Sequence, residues 1–286
     1  MLIAVFFFSG AFIAGNYSTV QFPPFSLTLF RFLFAFIFML PIMKLSGENM
    51  KLHKGDIWYI TMLAIVGMVG YHVFFFSALR HTSVINSSLI AAINPIATTI
   101  FSVIILNEKL TTKNIIAIGV CFLGIIVVIT KGNLGILKTL SFNVGDLYML
   151  VAVIVWALYT VLSKKMLKKY SPIKVTTYVF AMTIVVLIPA LIWENPATYI
   201  GNTDMKGWLS VLYMALFAST CGYLIQQISI KKIGPMRTNL YYNLVPVFSM
   251  ILSLLILKTT VSPVQIVAGI FIIVGVLINT SFTFTK

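Results

Sequence analysis

The stretch LIAAINPIATTIFSVIIL at residues 89–106 returns, without a gap, as LYYNLVPVFSMILSLLIL at residues 240–257. Leu89, Pro95, Ile100, Ser102, Ile105 and Leu106 match Leu240, Pro246, Ile251, Ser253, Ile256 and Leu257. The register runs on from Ile115, Ala117 and Gly124 to Ile266, Ala268 and Gly275. Identities between two apolar segments carry little weight when they are Leu or Ile. The paired prolines and glycines carry more, because Pro removes a helix hydrogen bond and Gly removes a side chain. A membrane protein built from two related halves is most often a transporter with its site between them.

The chain has 286 residues, 60% hydrophobic and 9% charged. Soluble domains carry about 25% charged residues, so a water-soluble fold is excluded. The net charge of +14 lies between apolar runs, which points to a membrane surface and not to nucleic acid. Cys121 and Cys221 both fall inside apolar runs and read as buried thiols without a disulfide. The first apolar run has no basic n-region and no polar cleavage site, so it reads as a retained span.

About 20 apolar residues cross a bilayer core. Runs of that length fall at roughly 1–20, 25–44, 57–79, 84–106, 113–130, 145–163, 172–193, 207–230, 237–257 and 263–281. Fourteen Lys and Arg lie in the segments on the side of the N-terminus, five on the other side, and Arg31 lies within a span. The positive-inside rule then places both termini in the cytoplasm of a plasma (inner) membrane protein. Five spans per half is an odd number, so the halves, 1–131 and 144–281, are expected to be inverted. The correspondence continues with a slightly different offset. Pro24 matches Pro172, Phe8 matches Trp156, and Ala11 matches Tyr159.

Polar residues inside spans mark candidate sites, because an unpaired polar group in hydrocarbon is costly. Span eight carries Tyr223, Gln226 and Gln227 on one stripe, with His72, Phe75 and Phe76 at the equivalent positions of span three. Cavity lining and helix-to-helix bonding both fit the glutamines. His72 is the only deep group that titrates near neutral pH, and reads either as a packing residue or as a proton carrier. Span nine offers Asn239, Tyr242 and Asn243 beside Pro246, and span four offers Asn94 beside Pro95. The two prolines are candidate hinges, or kinks with local hydrogen bonds. Trp156, Tyr159, Thr160 and Ser163 share one face of span six, opposite Phe8, Ala11, Phe12 and Gly15 of span one. Arg31 sits about 9 Å inside span two at 1.5 Å per residue. It either snorkels to the outer mouth or attracts a substrate carboxylate. All six acids, Glu48, Asp56, Glu108, Asp146, Glu194 and Asp204, lie at span ends or in loops. That argues against cation coupling through a deep carboxylate. No nucleophile elbow, HExxH, phosphate loop or Cys/His cluster is present. The expectation is therefore no enzyme, no cofactor and no metal.

Pro24 to Arg31, the Pro95 run ending in Asn107-Glu108-Lys109-Leu110-Thr111, and Trp156 together resemble the drug/metabolite transporter superfamily, in its ten-span EamA-type branch. The second half departs from the pattern, with Thr259 where a repeat of Glu108 is expected and Val179 in place of a second Arg31. The resemblance implies an all-α membrane protein working by alternating access, commonly an exporter of amino acids and related metabolites. The resulting expectation is an exporter or exchanger of a small zwitterionic or polar metabolite, an amino acid before others. His72, Asn94, Trp156, Tyr159, Gln226, Gln227, Tyr242 and Asn243 are expected to line its site, Arg31 to sit near the outer mouth, and Pro95 and Pro246 to act as hinges. A carrier of nucleotide-sugars or other organic anions, and a non-transporting membrane subunit, are the alternatives. The expected partners are the substrate and the lipid bilayer, with no nucleic acid.

Overall fold

The computed structural model describes residues 1–49, 51–109 and 143–280, with single positions between 112 and 127. Span five (113–130) and Cys121 therefore lie largely or wholly outside the described residues.

The described residues form helices and short turns, with no strand among them. Eight helices are long and apolar enough to cross a membrane. They are α1 (Leu2–Thr19), α2 (Pro24–Ser46), α3 (Lys54–His81), α4 (Val84–Leu106), α5 (Val144–Lys169), α6 (Pro172–Trp193), α7 (Met205–Ile233) and α8 (Pro235–Leu257). They take up spans one to four and six to nine. Helix α9 (Pro263–Thr280) falls on span ten.

The helix starts follow from local chemistry. A proline opens α2, α6 and α8, where its missing N–H has no partner to lose. Side chains of Ser83, Asn143, Ser171 and Asp204 accept from the first free amides of α4, α5, α6 and α7. Gly47, at φ +62°, ends α2 in the left-handed conformation that glycine tolerates.

The helices are interrupted at matched places. Helix α4 breaks at Ala92–Ile93 just ahead of Asn94 and Pro95, and α8 tightens at Tyr241–Leu244 just ahead of Pro246. Wider turns with i→i+5 bonds occupy Ala64–Gly70 in α3 and Met214–Tyr223 in α7. Asn107 and Lys258, at φ +54° and +53°, end α4 and α8 in the left-handed region. Each is followed by the same bond, Glu108 N–H to Ser102 O and Thr259 N–H to Ser253 O, both 3.3 Å. Interior prolines recur as well, at Pro41 in α2 and Pro189 in α6.

The main packing partners come from opposite halves of the chain: α2 lies along α6, α3 along α5, and α1 along α7. Glycine permits two of the closest approaches. A methyl group on Gly67 would stand 2.2 Å from the Tyr159 ring, and one on Gly222 2.7 Å from the Phe8 ring. The interior is rich in large rings, with Trp156, Phe32, Phe75, Phe76 and Phe180 fully buried. The outer faces are apolar too: Ile104, Ile154, Val185 and Leu255 are half-exposed or more. A water-facing surface does not carry such a belt; a lipid-facing one does.

Candidate functional site

The polar groups of the spans converge on the centre of the helix assembly. A cavity of about 20 Å³ lies there, between Phe8 and Phe12 of α1, Arg31 of α2, Tyr71 and Phe75 of α3, Asn94 of α4, Trp156 of α5, Tyr223 of α7 and Tyr242 of α8. One water needs about 10–15 Å³ of such space, so this conformation has room for a water and not for a metabolite. A groove of about 520 Å³ also runs down the outside, between α1, α7 and α8. Its lining is mostly apolar and exposed, including Phe6, Leu209 and Ile256. The central cavity is the candidate site, because only there do buried polar groups meet.

Arg31 is the sole cation among the residues lining the cavity. It is 2% exposed, so it does not snorkel to a surface. Its Nε donates to Ser219 Oγ at 2.8 Å and its Nη2 to Tyr223 OH at 3.3 Å, with Nη1 3.9 Å from Met214 Sδ. Its guanidinium also lies within 6 Å of the Phe32 and Tyr223 rings, a cation–π distance. No carboxylate is within ion-pair distance of it; all six acids are among the described residues, and among those residues the one ion pair joins Lys169 to Asp56.

His72 is fully buried behind Tyr223. Its Nδ1 lies 2.7 Å from Met68 O and its Nε2 2.7 Å from Tyr223 OH. A carbonyl oxygen only accepts, so Nδ1 carries a proton. In the neutral ring, Nε2 then accepts from the Tyr223 hydroxyl, which in turn accepts from Arg31. The result is a continuous relay, Arg31 to Tyr223 to His72 to the α3 backbone.

Trp156 packs its ring against Tyr71, Tyr159 and Tyr223 at 4.6–5.3 Å between centroids. Tyr242 stacks on Phe8 at 5.2 Å. Beside these rings lies a set of buried amides. Gln227 Nε2 donates to Tyr159 OH at 2.6 Å, and Tyr242 OH donates to Gln226 Oε1 at 3.0 Å. Asn94 Oδ1 accepts from Thr98 Oγ1 and Asn239 Nδ2, both 3.1 Å, and Asn239 Nδ2 also reaches Thr98 Oγ1. Gln226 Nε2, Gln227 Oε1 and Asn239 Oδ1 are buried without a hydrogen-bond partner. Such groups cost free energy.

Of the residues expected at the site, Asn94, Trp156 and Tyr242 line the cavity itself, and Arg31, expected near the outer mouth, lines it with them. His72 touches it through Tyr223. Tyr159, Gln226, Gln227 and Asn243 are buried but do not line it. Tyr223, Tyr71 and Phe75 line it too. The sequence signal of Tyr223 and Phe75 was the stripe of equivalents shared by spans three and eight, and Tyr71 had none. Ser219 and Met214, which hold Arg31, had no signal in the sequence.

Both ends of the assembly are tied. At one end Glu194 accepts from Ser26 Oγ at 2.5 Å and from the α2 amides of Ser26 and Phe25 at 2.7 and 3.2 Å. Arg80 donates to Thr19 O and Phe22 O at 2.9 and 2.7 Å. Asp204 and Gln21 exchange two bonds of 2.9 Å. The Gly207 amide and Gln21 hold the Asp204 carboxyl below its ordinary range. At the lysine-rich end, Lys169 pairs with Asp56 at 2.9 Å, Tyr170 donates to Asp56 at 2.6 Å, and Lys164 donates to Ile230 O and Lys231 O at 2.7 and 3.1 Å. Glu108 is half-buried between α4 and α8. Burial raises its carboxyl above the usual range, and Lys164 and Arg237 oppose that only in part.

The model of the EamA-like transporter family matches residues 1–130 and again 143–281. The chain belongs to the EamA-like transporter family. It is a multi-pass membrane protein of that family. The uncharacterized transporter YyaM of Bacillus subtilis (strain 168) is 35% identical over 97% of this chain and 91% of its own length. An uncharacterized transporter of Archaeoglobus fulgidus is 24% identical over 98% of this chain and 96% of its own length. A crystal structure superposes with a TM-score of 0.72 at 19% identity, covering 98% of this chain and 96% of that one, which shows a shared fold. EamA-family membership and the relatives' names point to transport and not to catalysis. Among the described residues no group of three or more His, Cys, Asp or Glu is placed to hold a metal.

Proposed function

We propose that the protein is an alternating-access carrier of small zwitterionic metabolites, amino acids first among them, working as an exporter or exchanger in the plasma membrane. The observation that carries this reading is the cavity, where one cation, a ring-lined wall and a neighbouring set of half-satisfied amides meet. Arg31 offers charge to a carboxylate, and the ring faces of Trp156, Tyr223 and Tyr242 offer a cation–π surface to an ammonium. The open donor of Gln226 and the open acceptors of Gln227 and Asn239 suit the remaining polar atoms of an amino acid. A nucleotide-sugar needs more than one cation, and Arg31 stands alone at the cavity.

In this reading the chain is two inverted five-helix halves, 1–131 and 144–281, with both termini in the cytoplasm. The matched breaks, the paired left-handed residues and the 151-residue bond between His72 and Tyr223 support it. Pro95 and Pro246 act as hinges about which the halves rock, opening the cavity to one side at a time. The test is reconstitution into sealed liposomes loaded with the proteinogenic amino acids. Selective efflux supports the reading. No efflux of any of them from liposomes containing folded protein overturns the amino-acid assignment.

A further inference from the structure

We propose that the cargo crosses together with a proton: a carboxylate held by Arg31 and a proton held on His72 Nε2 enter and leave as a pair, with the Tyr223 hydroxyl switching between them. This rests on reading the central cavity as the cargo site.

Arg31 is a buried charge with no anionic partner. It has five N–H groups, and within the protein these meet a hydroxyl, a phenol and a thioether, with two ring faces beside the guanidinium. A buried cation of this kind is stabilised far better by an anion than by neutral dipoles. No residue of the chain supplies one at this depth, so the anion has to arrive with the cargo.

The second observation is the shared oxygen. Tyr223 OH accepts from Arg31 and lies 2.7 Å from His72 Nε2. With Nδ1 committed to Met68 O, an added proton has only Nε2 to occupy. The Tyr223 oxygen would then accept from two cations at once, and its own hydrogen would have to turn elsewhere. Facing His72 are Arg31 and Phe32 of α2, Tyr71 and Phe76 of α3, Trp156 of α5 and Tyr223 of α7. Arg31, Tyr71 and Tyr223 are the titratable ones, and none of them is an acid. Helix α1 carries no charged residue, and α6 brings only Lys174, at the lysine-rich end. Without an anion the second positive charge is uncompensated. With a carboxylate at Arg31, the Tyr223 hydroxyl, which lines the cavity, turns its hydrogen to a carboxylate oxygen. The His72 lone pair takes up a hydronium proton from the aqueous phase to which the cavity is then open, leaving neutral water behind. On release the sequence reverses, and the proton leaves to the side the cargo leaves.

The test uses the full chain in sealed liposomes loaded with the proteinogenic amino acids and the pH dye pyranine, clamped with potassium and valinomycin. They are diluted into amino-acid-free buffer of the same pH. The expected result is amino-acid efflux with internal alkalinisation of about one proton per molecule exported. His72→Gln is expected to lower the protons moved per molecule of amino acid at least tenfold, with the pH profile of the remaining flux flattened. Tyr223→Phe serves as the second variant: its cargo flux falls because Tyr223 lines the cavity, and the protons moved per molecule of remaining cargo should fall at least tenfold as well. Efflux from wild type with no internal pH change overturns the proposal and leaves the transport reading standing. A folded His72→Gln protein that moves protons as wild type does also overturns it. Absence of any amino-acid flux defeats the amino-acid reading, and the proposal with it.

Discussion

His72 and Tyr223 stand 151 residues apart and share a 2.7 Å hydrogen bond, and 151 is also the offset that aligns Pro95 with Pro246. Each residue therefore touches the position that corresponds to it in the other stretch of the chain. Phe32 and Phe180 do the same on the second offset, the one that aligns Pro24 with Pro172, with ring centroids 5.1 Å apart. The site is built on this line of self-matching contacts, and the predictions start from it.

Tyr223→Phe keeps the ring and deletes the oxygen that Arg31 and His72 share. Two buried polar groups lose a partner, each a loss of about 1–3 kcal/mol. A thermal melt in detergent should shift down by several degrees, with flux lowered at least tenfold. An unchanged melt would mean that water replaces the hydroxyl.

Gln226→Leu and Gln227→Leu together remove the open amide donor and acceptor next to the cavity. The expected outcome is a fold that survives and cargo affinity at least tenfold weaker, read by competition in counterflow. Unchanged transport removes both residues from the site.

Gly67→Ala places a methyl group against the Tyr159 ring at 2.2 Å. Overpacking of this kind costs about 1–3 kcal/mol, and Tyr159 carries the bond to Gln227. Both stability and cargo affinity should fall. A variant as stable as wild type would show that the ring moves aside freely.

Glu108 gives a pH test. Its folded-state carboxyl titrates above the ordinary value because it is half-buried. The folded protein therefore holds that proton more tightly than the unfolded chain does. Stability from this group is present below the unfolded value and is lost as pH rises through the folded one. Glu108→Gln should leave the melting temperature unchanged in acid and raise it relative to wild type as pH climbs past the carboxylate range. A difference that shrinks with rising pH would show that Lys164 and Arg237 outweigh burial.

The helices were legible because each is a long apolar run bounded by Pro, Ser, Asn, Asp or Gly. The breaks in α4 and α8 were legible from Pro95 and Pro246. The fate of Arg31 was not. Its depth was readable from its place in span two, but Ser219 and Met214 lie on α7, and no local pattern says which side chain a distant helix will offer. The paired Ala64–Gly70 and Met214–Tyr223 turns were equally silent, because an inserted residue in a helix leaves an apolar pattern apolar. Gln226 and Gln227 were visible as costly amides, yet their partners Tyr242 and Tyr159 emerged only from packing.

The Glu194 carboxylate occupies the place a residue of α2 itself would take to satisfy the first amides of that helix. The stopper is thus borrowed from α6. Any movement that parts α6 from α2 leaves the amides of Phe25 and Ser26 bare, at about 0.5–2 kcal/mol for a lost cap. On the alternating-access reading proposed above, this end of the molecule would carry a return spring that opening stretches and closing relaxes. A load of 1.4 kcal/mol corresponds to a tenfold bias towards the closed form. A single substitution at Glu194 would reset how long the door stays open without touching what passes through it.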